Sequence, residues 1–232
     1  MQDFWTLYSA LPREGPGDAA SLARALAGLP ADARILDAAC GSGADSAMIL
    51  DILPDADIVG VDKHPDFIAS AKARGLRAGF HIGDMLDLEG KFDLIWCAGA
   101  VYFVGIEAAL KAWKPHMKPG GKIAFSEVVW LTDTPSIAAK TFWNAAYPQI
   151  GTIASLRQRI TACGFTVTSA EPLGRAGWQG YYEGLRTRIA AIRATNPSPS
   201  MISVLCETEA EIALFEAHFG EYDYAVFIVA PT

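Results

Sequence analysis

Short apolar runs rich in β-branched residues alternate with helix-like stretches along the first half of the chain. The runs fall at 34–38, 57–61, 77–82, 92–97 and 121–129, with helical spacing at 44–53 and 106–116. Pro54-Asp55, Gly75 and Pro119-Gly120-Gly121 punctuate them as turns, and Pro65 suits the first turn of the helix after the second run. A strand that returns to its own sheet through a helix crosses over right-handed. This order therefore predicts a doubly wound α/β fold, a mostly parallel sheet with helices on both faces. Two more runs stand at 165–170 and 224–230.

Three segments break the rhythm. Residues 1–30 carry Phe4, Trp5 and Tyr8, a turn at 12–17 and a helix starting near Asp18; 131–151 read as an aromatic-bearing helix closed by Pro148; 175–220 hold two helices joined by the linker 196–200. Ligands of doubly wound sheets bind beyond the carboxyl ends of the strands, so these segments are expected to form a helical lid over that edge. The 232 residues are read as one domain, 1–232, with the lid as its elaboration.

Composition narrows the partners. The net charge of −7 offers no general footprint for a phosphate backbone, and the basic groupings at 114–122 and at Arg186, Arg188 and Arg193 read as solvated faces, so nucleic acid is not expected. The longest uncharged run, 141–156, is shorter than the ~20 residues of a membrane span and contains Asn144, Pro148, Gln149 and Gly151. No basic-then-apolar leader opens the chain, so the expected address is cytoplasmic. Cys40, Cys97, Cys163 and Cys206 form no Cys-x-x-Cys pair and the four histidines show no ligand spacing; no metal is expected.

The chemistry concentrates after the first run. Leu36-Asp37-Ala38-Ala39-Cys40-Gly41-Ser42-Gly43 leads from strand to helix, and the second run closes on Val61-Asp62. Glycines at 41 and 43 let a ligand approach the turn backbone, and an acid at the end of the second strand accepts hydrogen bonds from ribose hydroxyls. Together they predict an adenosine site. A dinucleotide fingerprint needs a third Gly or Ala where this chain has Ser46, and Asp37 would sit unfavourably beside a pyrophosphate. S-adenosylmethionine has no phosphate and carries two positive groups, so the acid favours the methyl donor over NAD.

The run 36–43 resembles the first motif of class I S-adenosylmethionine-dependent methyltransferases. The likeness continues in order through Val61-Asp62, Gly83-Asp84-Met85, Phe92-Asp93-Leu94-Ile95-Trp96 and Lys118-Pro119-Gly120-Gly121. A small-molecule branch is resembled in the tail, through 126–131, Trp143 with Tyr147-Pro148, and Trp178 with Tyr181-Tyr182. The resemblance implies a seven-stranded sheet with the last strand inserted antiparallel. It also implies S-adenosyl-L-methionine as cofactor, with Asp37, Cys40, Gly41 and Gly43 around the methionine portion, Asp62 and Lys63 at the ribose, Asp84 with Met85 at the adenine, and Gly83, Cys97 and Ala98 also cofactor-binding. One departure stands out: relatives in this branch often carry an acid where this chain has Ala98. No Asn/Asp-Pro-Pro-aromatic run occupies 97–100, which argues against enzymes methylating adenine or glutamine amino groups.

Tyr102, Trp143, Tyr147, Trp178, Tyr181 and Tyr182 are the candidate acceptor pocket, with core packing as their alternative role. Glu127 is either a proton acceptor near the substrate or a structural carboxylate. Cys40 reads as a small packing residue, and His64 and His116 as surface residues. The expected activity is methyl transfer to a small-molecule acceptor by a monomer or homodimer. The alternatives are a non-catalytic S-adenosylmethionine-binding protein and a nicotinamide-dependent oxidoreductase.

Overall fold

A computed structural model describes residues 2–9 and 11–232; leader positions 1 and 10 lie outside them. The strands are β1 (Arg34–Ala38), β2 (Asp57–Asp62), β3 (Ala78–Ile82), β4 (Phe92–Cys97), β5 (Met117–Trp130), β6 (Gly151–Thr152), β7 (Phe165–Pro172) and β8 (Tyr222–Pro231). They run in the order β3-β2-β1-β4-β5-β8-β7, with β6 pairing to β5 off this path. β1 to β5 are parallel, and β8 lies antiparallel between β5 and β7. The expected seven strands are all present, and the short β6 is an eighth that sequence reading did not anticipate, because two residues carry no periodicity. The turn expected at 119–121 lies inside β5 as an irregularity: Phe92 pairs with Met117 but Leu94 with Lys122, and the extra residues bulge at Gly120, φ +76.

The helices are α1 (Gln2–Tyr8), α2 (Ala19–Leu26), α3 (Ala44–Ile52), α4 (Pro65–Ala73), α5 (Ile106–Trp113), α6 (Ile137–Ala146), α7 (Ile153–Ala162), α8 (Gly174–Arg193) and α9 (Pro199–His218). Their starts follow local chemistry. The side chains of Asp18, Ser136, Thr152 and Ser198 cap α2, α6, α7 and α9, accepting from backbone N–H groups of the first turn. α8 has no such cap at its own N-terminus; Asp223 of β8 accepts from Gly174 N–H at 2.7 Å and from Trp178 Nε1 at 2.6 Å instead.

Strand alternation divides the core between the two sheet faces. Ile35, Leu94, Ala124 and Val226 share one apolar cluster with Leu22, Ile49, Trp178, Leu205 and Phe215; Leu36, Ile95, Phe125 and Phe227 share the other with Leu110, Trp113, Leu156 and Ile160. The segments expected as a lid are thus also structural, since α8 and α9 bury Trp178 and Phe215 in the same cluster as the sheet. Among the described residues no helix is long and apolar enough to cross a membrane.

Candidate active site

After β1 the chain winds to β2 and β3 on one side, and β4 lies on the other. The carboxyl ends of β1 and β4 therefore flank a switch point, where a doubly wound sheet leaves room for a ligand. A cavity of about 670 Å³ lies there, lined by the segments leaving β1, β2, β3 and β4 and by residues of α1, α6, α8 and α9.

The glycine turn forms its floor. Gly41 and Gly43 adopt φ of +53 and +78, and a Cβ on Gly41 would collide with the Glu14 carboxylate, while one on Gly43 would press on Phe80 and Ala71 at 3.1 and 3.2 Å. Ala39 holds φ +57 without being a glycine, a conformation costing roughly 1–2 kcal/mol that marks the turn as strained. Cys40 N–H donates to Val61 O at 3.0 Å, and Asp62 accepts from Gly41 N–H at 3.0 Å and from His64 N–H at 2.8 Å. One carboxylate thus ties the end of β2 to the turn after β1.

Asp37 is 2% exposed and takes a 2.6 Å hydrogen bond from the Ser46 hydroxyl. Burial, followed by the charge of Asp45, pushes its carboxyl up to about 7. Ser46, at the position where a dinucleotide site needs Gly or Ala, holds this acid in place. Asp45 itself accepts from Trp96 Nε1 at 2.8 Å and pairs with Arg13 at 3.1 Å. Arg13 also donates to the carbonyls of Gly15 and Gly17, and Arg74 donates to Ser42 O and Pro12 O, so residues 11–17 are strapped across the glycine turn. Glu14 accepts from Ser42 N–H at 3.3 Å through Oε2, while its buried Oε1 has no partner. Burial raises the Glu14 carboxyl above its ordinary value.

Of the residues singled out from sequence, Asp37, Cys40, Gly41, Asp62, Lys63, Gly83, Met85, Ala98, Tyr102, Trp143, Tyr147, Trp178 and Tyr181 line the cavity. Five do not. Gly43 caps α3. Asp84 turns to Lys63 at 3.0 Å and to Leu86 N–H at 2.9 Å, and those two hydrogen bonds, the backbone one first, hold its carboxyl below the usual range. Cys97 is buried in the sheet, and its thiol is pushed well up by that burial. Tyr182 donates to Glu211 at 3.1 Å from behind the wall. Glu127 is 1% exposed and sits between the inward neighbours Ser126 and Val128, so its side chain leaves β5 on the face opposite the cavity-lining Val128. Its Oε1 accepts from Val128 N–H at 3.1 Å, its Oε2 is unpartnered, and burial pushes it up to about 8. Glu127 itself does not line the cavity, while Tyr102, Tyr147 and Tyr224, which do, feel its charge.

Sequence reading missed Arg13, Glu14, Asp45 and Glu211, all of which line the cavity. Asp45 in the first turn after Gly43, and two charges inside a Pro/Gly-rich turn, were visible signals; Glu211, on a helix far along the chain, had none. His64, read as a surface residue, lines the cavity with its ring 3.7 Å from that of Trp5.

A family profile described as "Methyltransferase domain" matches residues 35–121, the stretch from β1 into β5. Trans-aconitate 2-methyltransferase of Deinococcus radiodurans is 33% identical over 95 residues, covering 40% of this chain and 36% of the relative. The chain thus spans about a third of that relative's length. Trans-aconitate 2-methyltransferase of Methylobacterium nodulans is 26% identical over 209 residues, covering 83% of this chain and 80% of the relative. Among solved structures, an S-adenosylmethionine-dependent methyltransferase of Geobacter sulfurreducens, solved with S-adenosyl-L-homocysteine, superposes with a TM-score of 0.84 at 20% identity, covering 100% of this chain and 98% of that one. The ordered motifs, the inserted antiparallel β8 and these likenesses converge: residues 35–121 match a methyltransferase domain, and the chain has the fold of the class I S-adenosylmethionine-dependent methyltransferases.

Proposed function

We propose that the protein binds S-adenosylmethionine at the glycine turn and transfers its methyl group to a small-molecule acceptor seated under α6, α8 and α9. The observation that carries this reading is the charge of the cavity wall. Glu14, Asp37, Asp45 and Asp62 face it around the glycine turn, against only two lysine or arginine side chains among the described residues, and both of those are already paired, Arg13 with Asp45 and Lys63 with Asp84. A ligand bearing an ammonium and a sulfonium fits such a wall, whereas a pyrophosphate does not.

The residues fit the cofactor without rearranging the turn. Asp62 keeps acceptor capacity for ribose hydroxyls beyond its two backbone bonds. The unpartnered Glu14 Oε1 and the Ser46-held Asp37 offer acceptors to an amino group. Met85 and Ala98 supply apolar wall for a flat base. When bound, the cofactor supplies a methyl group already activated on sulfur, so the protein has to position the acceptor in line and exclude water. Such orientation accounts for about 7–11 kcal/mol of barrier in favourable cases. The aromatic end of the cavity, with Tyr8 and Tyr181 joined hydroxyl to hydroxyl at 3.2 Å, is suited to that task.

The test is transfer of label. Incubated with limiting donor carrying a tritiated methyl group and a cell extract, the protein is expected to place label in the small-molecule fraction, and Asp62→Ala to reduce it by about tenfold or more. Label confined to macromolecules, or transfer unaffected by Asp62→Ala, would refute the reading.

A further inference from the structure

The far end of the cavity has a chemistry of its own. Glu211, on α9, faces the cavity and takes one hydrogen bond, from the Tyr182 hydroxyl. Tyr8, Tyr102, Tyr181 and Tyr224 stand close enough to feel its charge, and all four line the cavity. No lysine or arginine among the described residues lines this end; the wall's two cations stand at the glycine turn, held by Asp45 and Asp84.

A carboxylate facing an apolar cavity without a cation is costly, and the cost is removed by a ligand that brings the missing charge. Tyrosine and tryptophan faces around the same point attract a cation further, by about 0.5–2 kcal/mol. A carboxylate ligand would meet Glu211 as a like charge with no guanidinium to offset it. Resting on the reading of the cavity as a methyltransferase site, we infer that the acceptor carries a cationic amine, seated against Glu211 within the aromatic ring of the cavity. Glu211 is thereby the specificity-determining residue of the acceptor end. Burial raises its carboxyl to about 6, which still leaves it charged at neutral pH, consistent with the role of counter-ion. The inference separates this chain from the relatives named for trans-aconitate. The family match at 35–121 stops before Trp143, Tyr181, Glu211 and Tyr224, and the Methylobacterium relative, which reaches past it over 83% of this chain, is only 26% identical.

Three probes of one shape decide it: 2-phenylethylamine, 2-phenylethanol and 3-phenylpropanoate, titrated calorimetrically into the protein saturated with S-adenosylhomocysteine. The amine is expected to bind about tenfold or more tighter than the alcohol, and the carboxylate weakest. Glu211→Gln should erase the preference while leaving S-adenosylhomocysteine affinity unchanged, and Glu211→Asp should restore its direction. Equal or reversed ranking in the wild type, no binding by any probe, or a preference that survives Glu211→Gln overturns the inference. The wild-type ranking decides even if Glu211→Gln fails to fold. Absence of heat with S-adenosylhomocysteine itself is a different failure: it overturns the methyltransferase reading, and this inference falls with it.

Discussion

Asp37 is a buried acid that, in the proposed complex, meets a cationic ligand. Its carboxyl, near 7 for want of solvent and beside Asp45, is only part-ionised at neutral pH. A positive group arriving at the glycine turn lowers that value and expels a proton. Cofactor binding at pH 7 should therefore release protons, read as a dependence of the calorimetric heat on the ionisation enthalpy of the buffer, and Asp37→Asn should remove that dependence. Glu127 makes the opposite kind of statement. Its folded value near 8 lies above the ordinary 4.5, so the folded state retains a proton that the unfolded chain loses, and stability falls as pH rises from about 4.5 to 8. Glu127→Gln keeps the acceptor for Val128 N–H and should melt higher than wild type at pH 8, with the gap closing toward pH 5; each kcal/mol moves the midpoint by roughly 2–4 °C. A gap independent of pH would mean that the carboxyl is not buried as described. Asp62 holds the turn and, in the proposed complex, the ribose, so Asp62→Ala should weaken S-adenosylhomocysteine by about 10- to 150-fold, measured by titration.

At the scale of elements, the strap 11–17 closes one end of the cavity and helices α8 and α9 the other. Arg13→Ala frees the strap from Asp45 and from the Gly15 and Gly17 carbonyls; cofactor affinity should drop about tenfold with the melting midpoint nearly kept. Trp178→Ala is expected to behave otherwise. Trp178 stacks on Phe215 with centroids 4.6 Å apart and donates to Asp223, so its loss should cost about 3–5 kcal/mol in denaturant unfolding, a core effect more than a pocket effect. The elements themselves were legible in the sequence, because apolar period and turn residues are local signals: β1 to β5, Pro65 at the start of α4 and the α8–α9 pair stand where they were expected. The strap's function was not. Arg13 meets Asp45 and Glu14 meets Ser42 across more than two dozen residues, and no local pattern encodes such a pairing.

Over the whole molecule, one twisted sheet carries two apolar faces and a single acid-lined edge. The half of that edge proposed for the cofactor is written in contiguous motifs at 36–43, 61–63 and 83–85, which is why most of its lining residues were legible in the sequence. The half proposed for the acceptor is assembled from α1, the segment after β4, α6, α8, α9 and β8, so Glu211 and its tyrosines came together only in the fold. Glu127, adjacent in sequence to the cavity residue Val128, alternates with it along β5 and does not line the cavity. The acid-lined edge is the feature on which the account stands, and it discriminates between adenosine cofactors by charge alone. Calorimetric titration of the purified chain, in the presence of a metal chelator, with S-adenosylhomocysteine and separately with NAD, tests it directly. The account predicts micromolar binding of S-adenosylhomocysteine and binding of NAD weaker by about a hundredfold or more; equal affinities, or heat from NAD alone, would contradict it.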